Sequence, residues 1–247
     1  MQLLHFLFLV TALFSLCNAH HNHNHHHTAS RELAAVVRKF EEYKIPEELG
    51  IIFQPRVQLH VLFPQNTTNT LISVTPGEQL QRNETALAPS YRMTGEAGTD
   101  GPFLIVMVDP DAPTPQNRSY SLVRHFMGGN YVVSHGKGSR RHHHQHNLMN
   151  VTEAIAPYHG ARPILSSDPH RYIFLIYNQP PDFDRQTLVT PATSRFFFNL
   201  SSFASATGLG QPIGGNFMLV GPDASSPISI ASPATTSTTR HETVGWT

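Results

Sequence analysis

Two short stretches of the chain combine acidic, imidazole and phenol side chains at positions where strands are expected to end. The first reads D-P-D-A-P at 109–113, directly after an apolar run, and His125 follows sixteen residues after Asp109. The second reads H-R-Y at 170–172 and opens another apolar run. Imidazole and phenol groups donate hydrogen bonds suited to phosphate oxygens, and a neighbouring carboxylate raises the proton affinity of an imidazole. If the two runs are adjacent strands, we expect the side chains of Asp109, His125, His170 and Tyr172 to lie together at the opening of one cavity.

Three interpretations of this set remain open from the residues alone. It could bind an anion, or the D-P-D-A-P segment could be only a turn. Two histidines and Asp109 could also hold zinc in a hydrolase. We favour the hydrolase least, because no adjacent pair of base and nucleophile is visible, and we expect no enzyme activity and no cofactor.

The elements that position these side chains are mostly strands. Phe103–Val108 and Tyr172–Tyr177 are continuous apolar runs, typical of strands that are covered on both faces. Apolar residues alternate with other residues from Val57 to Phe63, which predicts a half-buried strand. The pattern predicts a mainly β fold, an antiparallel β-sandwich with a few short helices. Shorter strand candidates are Leu71–Val74, Tyr120–Met127, Tyr131–Val133, Arg195–Phe198 and Asn216–Val220.

One helix is predicted before the first strand. Ser30 is a suitable N-cap, and Leu33, Val36, Val37 and Phe40 then recur at helical spacing. Pro46 is expected to end this pattern.

Composition limits the function classes. The chain has 247 residues, of which 39% are hydrophobic, and Lys and Arg balance Asp and Glu at 17 each. These values favour one domain of ordinary size, which we place at 30–220, and they argue against a nucleic-acid partner. Residues 134–163 form a His- and Arg-rich insertion, and we expect the basic, histidine-rich loop at 136–146 within it to lie outside the core. A monomer without a transmembrane segment is expected.

Both ends of the chain differ in composition from the domain. Residues 1–19 resemble a secretory signal peptide, and they contain the single cysteine, Cys17. Residues 20–29 form a histidine-rich segment that we expect to be disordered. Residues 221–247 form a Ser- and Thr-rich tail for which we predict the same. Exposed imidazoles could bind Cu, Ni or Zn weakly. The imidazoles of segment 20–29 belong to His20, His21, His23, His25, His26 and His27.

Asn-x-Ser/Thr sequons support secretion to the extracellular space, with the cell wall or the vacuole as alternatives. Each sequon could carry a glycan on the surface of the protein. The five asparagines are Asn66, Asn83, Asn117, Asn150 and Asn199.

The two motifs, in this order and at this separation, resemble the signature regions of the phosphatidylethanolamine-binding protein family. The resemblance extends from about Tyr43 to Val220 and includes Pro89-Ser90, Gly208-Leu209-Gly210 and Pro212-Ile213. It implies a single β-sandwich with a small anion-binding cavity. The resemblance assigns ligand binding to Asp109, Asp111, His125, His170 and Tyr172, with Pro113 shaping the wall.

The resemblance implies two alternative functions, each with its own partner. The leading hypothesis is a secreted protein that binds phosphate-type anions or phospholipid head groups. The alternative is an inhibitor of serine carboxypeptidases or related serine proteases. If His125 and His170 supply charged donors, Asp109 should raise both pKa values, and ligand affinity should be highest in mildly acidic solution.

The chain also departs from the family pattern beside the pocket histidine. The family has an aromatic and histidine pair where this chain has Val123-Arg124. Arg124 either adds a charge at the rim or points to solvent from the other face of its strand.

Overall fold

The two apolar runs form neighbouring strands at the centre of a sheet, as predicted. In the computed structural model, which describes residues 31–134 and 145–229, both strands are buried along nearly their whole length. They pair antiparallel, with Val106 opposite Leu175. The strands of the described residues are β1 (Val57–Gln65), β2 (Thr70–Ser73), β3 (Glu78–Leu80), β4 (Ser90–Gly95), β5 (Phe103–Asp109), β6 (Val123–Ser134), β7 (Gln145–Asn150), β8 (His170–Asn178) and β9 (Gly214–Val220).

Hydrogen bonds join these nine strands into one curled sheet, whereas the sequence predicted a sandwich of two sheets. Its order is β2-β1-β4-β7-β6-β5-β8-β9-β3, and every pair is antiparallel except β3 with β9. The register between β5 and β6 shifts twice, and such irregularities bend a sheet. The curl brings the start of β1 to β9, where the amides of Arg56 and Val57 both donate to the Ile213 carbonyl.

Each face of the central strands packs against its own apolar core. Odd-numbered residues of β5, such as Ile105, face the core enclosed by the curl, and even-numbered ones, such as Leu104, face the second core. The second core is covered by α1 (31–42), α2 (Ile45–Leu49) and α3 (Leu200–Thr207). Because both faces are covered, β5 and β8 read as continuous apolar runs.

The predicted first helix is present as α1, with Val36 and Phe40 buried. Its predicted cap, Ser30, lies outside the described residues. Pro46 does not end this helix, which stops four residues earlier, but lies at the beginning of α2. A proline is tolerated there because the first amides of a helix have no partner within it.

Two predicted strands, Tyr120–Met127 and Tyr131–Val133, largely belong to the single strand β6. The Gly128-Gly129 pair between them serves close packing rather than a turn. A Cβ atom on Gly128 would lie 2.6 Å from the Phe126 ring, and one on Gly129 would lie 2.8 Å from the Gln179 side chain. The candidate Arg195–Phe198 is not a strand, although it hydrogen-bonds to the chain at Leu122 and Arg124.

The predicted boundaries of the insertion and of the tail need correction. Residues 145–150 of the insertion form β7, which lies inside the sheet between β4 and β6. Of the tail, residues 221–229 contact the domain: Asp223 pairs with Arg82, and the Pro227 carbonyl accepts from the Leu165 amide. The predicted signal peptide, the histidine-rich segment 20–29 and residues 230–247 lie outside the described residues.

Candidate functional site

A cavity of about 450 Å³ opens where β5 ends and β8 begins. Strand β6 contributes to one wall, and the segments around residues 160, 195 and 228 form the remainder. The structure brings together four of the predicted residues here, one each from the end of β5 and from β6 and two from β8. The lining residues are Asp109, Ala112, Val123, His125, His159, Arg162, His170, Tyr172, Arg195, Phe196, Pro227 and Ser229.

Asp109 and His170 form a buried ion pair at the base of this cavity. The Nδ1 of His170 lies 2.8 Å from Oδ2 of Asp109, and its Nε2 lies 2.8 Å from the Ser167 hydroxyl. That hydroxyl donates to the Asp168 carbonyl, so Nε2 is the donor toward Ser167. Burial opposes protonation of His170, but the hydrogen bond and charge of Asp109 outweigh it and raise the pKa. Both N–H groups of His170 are therefore used inside the protein.

His125 is buried in a neutral state. Its Nδ1 lies 2.8 Å from the His159 carbonyl, which can only accept, so Nδ1 carries the hydrogen. Burial lowers the pKa of His125 to about 4, although Asp109 acts in the opposite direction. The sequence expectation of a raised pKa thus agrees with His170 but is wrong for His125, because burial outweighs the Asp109 carboxylate, which lies 3.8 Å from Nε2 of His125 and accepts no hydrogen bond from it.

Tyr172 stands between the two histidines. The Tyr172 ring contacts the His125 ring edge to face, with 5.0 Å between the ring centroids, and stacks on the His170 ring, with 6.2 Å between the centroids. The hydroxyl accepts from the Arg162 amide, and burial raises the pKa of Tyr172 well above its usual value. The phenol therefore keeps its hydrogen and can donate it to a ligand.

Two guanidinium groups supply positive charge to the cavity. Arg195 donates to the carbonyls of Arg124, His125 and Pro157, and Arg162 is exposed. No carboxylate of the described residues pairs with either arginine. Because Asp109 is balanced by His170, the cavity has a net positive charge.

Asp111 and Pro113 are not among the residues that line this cavity. The Asp111 carboxylate accepts from the backbone amide and the guanidinium of Arg171, at 2.6–2.9 Å. Burial opposes ionisation of Asp111, but Arg171 outweighs it and lowers the pKa. Asp111 thus fastens the segment after β5 to β8, while Ala112 and not Pro113 lies at the cavity wall.

Four of the twelve lining residues are predicted site residues, and Ala112 and Val123 lie in motifs that the sequence analysis quoted, but the sequence did not indicate the other six. His159 and Arg162 belong to the segment read as an insertion, and Pro227 and Ser229 to the segment read as a tail. Arg195 and Phe196 were assigned to a strand without a role. Nothing in their local pattern connects them to the cavity, because their positions depend on contacts with distant parts of the chain.

The domain matches a known family over most of the curled sheet. The family model described as phosphatidylethanolamine-binding protein matches residues 70–218, which include the lining residues from Asp109 to Phe196. The chain belongs to the phosphatidylethanolamine-binding protein family. The resemblance inferred from the two motifs is thereby confirmed.

Individual relatives agree with this assignment, and a solved structure agrees with the fold. The 26 kDa secreted antigen of Toxocara canis is 27% identical over 172 residues, which are 68% of this chain and 58% of the antigen. The carboxypeptidase Y inhibitor of Saccharomyces cerevisiae is 30% identical over 90 residues, 34% of this chain and 41% of the inhibitor. A crystal structure of carboxypeptidase Y inhibitor with its cognate proteinase matches with a TM-score of 0.63 at 21% identity, covering 77% of this chain and 96% of that one.

Two further findings concern metal and membrane. Within 31–134 and 145–229, no three His, Cys, Asp or Glu side chains are grouped so that they could hold a metal ion. In the same ranges, no helix combines the length and the hydropathy that crossing a bilayer requires.

Proposed function

We propose that the protein binds a phosphate-type anion, free or as part of a phospholipid head group, in the 450 Å³ cavity. One observation carries this proposal: Arg162 and Arg195 line the cavity, and no described carboxylate pairs with them. Guanidinium groups form short, charge-assisted hydrogen bonds with phosphate oxygens. Because Asp109 is already engaged by His170, the cavity favours the phosphate over a cationic group such as the ammonium of ethanolamine.

Each lining group has a distinct part in this proposal. Arg162, which is exposed, attracts the anion and pairs with it, while Arg195 is held by three carbonyls and presents a fixed charge. The Tyr172 hydroxyl donates a further hydrogen bond. His125 is neutral with a bare Nε2, so it can accept from a ligand hydroxyl but cannot act as a charged donor. His170 acts through Asp109 and does not contact the ligand.

Calorimetric titration with inorganic phosphate and with glycerophosphoethanolamine tests the proposal. Arg162→Gln should weaken both by about tenfold or more, the change expected when one charge-assisted hydrogen bond worth about 1.4 kcal/mol is lost. Arg185→Gln is the matched control, because Arg185 is highly exposed and is not among the cavity residues. Equal affinity in wild type and Arg162→Gln would contradict the assigned role.

We also propose that the protein is secreted and glycosylated. All five sequon asparagines lie in exposed positions of the described fold, and a relative is named a secreted antigen. Expression of the full chain in a eukaryotic host should release it into the medium, with a mass that falls after enzymatic removal of N-glycans. Retention in the cell, or an unchanged mass, would oppose secretion or glycosylation respectively.

A second candidate function is inhibition of a serine carboxypeptidase. It is supported by the 30% identity to carboxypeptidase Y inhibitor over 90 residues. The titration of a purified serine carboxypeptidase with this protein decides it directly. Inhibition that persists in Arg162→Gln would show that the anion cavity and the inhibitory surface are separate.

We propose a non-catalytic role in either case. The relatives cited carry the names of an antigen and an inhibitor, not of enzymes. Turnover of a phosphodiester or peptide by the purified protein, lost in His125→Asn, would overturn this.

A further inference from the structure

A second cleft lies on the opposite face of β6 from the anion cavity. Its volume is about 360 Å³, within the range of small-ligand sites. Its walls combine apolar side chains with the polar Thr193, Ser194, Asn199 and Ser202, and they come from the segment before α3 and from α3 itself. Among the lining residues are Leu188, Val189, Phe196, Phe197, Phe198 and Phe203.

Arg124 lies at the base of this cleft. The residue is only 2% exposed, and its guanidinium lies 5.4 Å from the centre of the Phe198 ring. Nη2 donates to the carbonyl and the hydroxyl of Thr193, but the buried Nε has no hydrogen-bond partner.

The charge of Arg124 is also uncompensated. No carboxylate of the described residues pairs with it, and the charged side chain that acts on it is another cation, Arg195. Burial, reinforced by Arg195, lowers the pKa of Arg124 to about 10, so the group is charged at neutral pH. A buried, unpaired cation is costly, because little water remains to solvate it. A ligand anion would remove this cost.

We propose that this cleft binds a carboxylate that carries an apolar group, with Arg124 as the ion-pair partner. The guanidinium fork matches the two oxygens of a carboxylate, and one cation balances one negative charge. The aromatic walls receive the apolar group and disfavour a doubly charged phosphate. Leu188 and Phe197, which are 55% and 57% exposed, continue the apolar surface outward.

Such a carboxylate could come from a peptide C-terminus or from a fatty acid, and two probes separate these sources. N-acetyl-phenylalanine represents the first and hexanoate the second. Calorimetric titration should show binding of at least one acid, and the tighter probe identifies the source. N-acetyl-phenylalanine amide and hexanol, which lack the charge, should bind at least about tenfold more weakly. Because the sequon Asn199 also lines the cleft, the secreted protein is first trimmed with an endoglycosidase.

Two variants on α3 keep the test independent of the buried arginine. Ser202 is exposed and lines the cleft, so Ser202→Trp should block it and weaken binding of the acid at least about tenfold. Ser205→Trp, on the same helix but not among the residues that line the cleft, should bind as wild type does. Arg124→Gln, where it folds, should match Ser202→Trp. Titration with inorganic phosphate should be unaffected in both tryptophan variants.

Three results would overturn the proposal. The first is equal affinity for N-acetyl-phenylalanine and its amide, and for hexanoate and hexanol. That result would show that Arg124 does not pair with the carboxylate. The second is equal affinity in Ser202→Trp and Ser205→Trp, which would place the acid elsewhere. The third is displacement of the bound acid by inorganic phosphate, which would place it in the 450 Å³ cavity instead.

Discussion

Burial of neutral His125 makes the stability of the fold depend on pH. The residue is 5% exposed, and burial lowers its pKa in the folded protein to about 4, against about 6.5 in the unfolded chain. The unfolded chain therefore binds this proton more tightly, and stability is lost as the pH falls from about 6.5 to about 4. Proton linkage gives a loss of about 2 kcal/mol between pH ~7 and pH ~5, and about 3 kcal/mol by pH ~4.

The variant His125→Asn isolates this contribution. The asparagine amide can still donate to the His159 carbonyl, but the side chain no longer takes up a proton. The free energy of unfolding is measured by urea denaturation with far-UV circular dichroism at about pH 7, 6 and 5. Between the ends of this range, the wild type should lose about 2 kcal/mol more than the variant. Lost packing lowers the stability of the variant at every pH, so the change with pH is the measured quantity.

His170→Gln provides a control of opposite sign. The pKa of His170 is raised in the folded protein, so its stabilising charge is fully present below about pH 6.5 and is lost as the pH rises through the folded pKa. The stability difference between wild type and His170→Gln should therefore be largest in mild acid and shrink in alkaline solution. If His125→Asn and wild type lose equal stability between pH ~7 and pH ~5, His125 is not buried as a neutral group.

Three further predictions concern other parts of the chain. Asp111→Asn should lower the free energy of unfolding by about 1.5–3 kcal/mol in urea denaturation, because Arg171 loses its charge-assisted hydrogen bonds to this buried carboxylate and keeps only Glu48 as an ion-pair partner among the described residues, while phosphate affinity of the folded protein stays unchanged. Gly214→Ala should cost about 1–3 kcal/mol in the same assay, since its Cβ would overlap with the Val57 carbonyl oxygen; a neutral result would disprove this contact. Deleting residues 20–27 should abolish most tight retention on immobilised nickel and leave phosphate binding intact, and joint loss of both would place the histidines in the anion site.

The central part of the fold was predictable because its signals are local. An unbroken apolar run requires cover on both faces, and the runs at β5 and β8 have it. The end of β5 and the start of β8 then lie side by side, which brings Asp109 against His170. The single curled sheet was not predictable in this way, because it depends on register shifts and on close contacts such as that of Gly128 with Phe126.

The site was predictable only where strands supply it. Arg162 and Arg195, which give the cavity its charge, lie in irregular segments whose positions are fixed by contacts between distant residues. The role of Asp111 was also hidden, since two carboxylates that bracket a proline look alike in sequence. The structure distinguishes them by their partners: Asp109 faces His170, and Asp111 faces Arg171.

Strand β6 shows how one departure from a family pattern acquires a physical meaning. Successive side chains of a strand point to opposite faces, so Val123 and His125 line the anion cavity while Arg124 lies below the second cleft. From the sequence, Arg124 was expected either at the rim of the anion cavity or in solvent on the other face of its strand, and a charged residue is almost never fully buried unless it is paired. The structure places Arg124 on the other face of the strand, as in the second alternative, but buries it against Phe198 without a described carboxylate instead of exposing it to solvent. The free energy cost of burying the Arg124 cation is smaller when an anion is bound beside it. For this reason we treat the second cleft as a binding site to be tested and not as a packing defect.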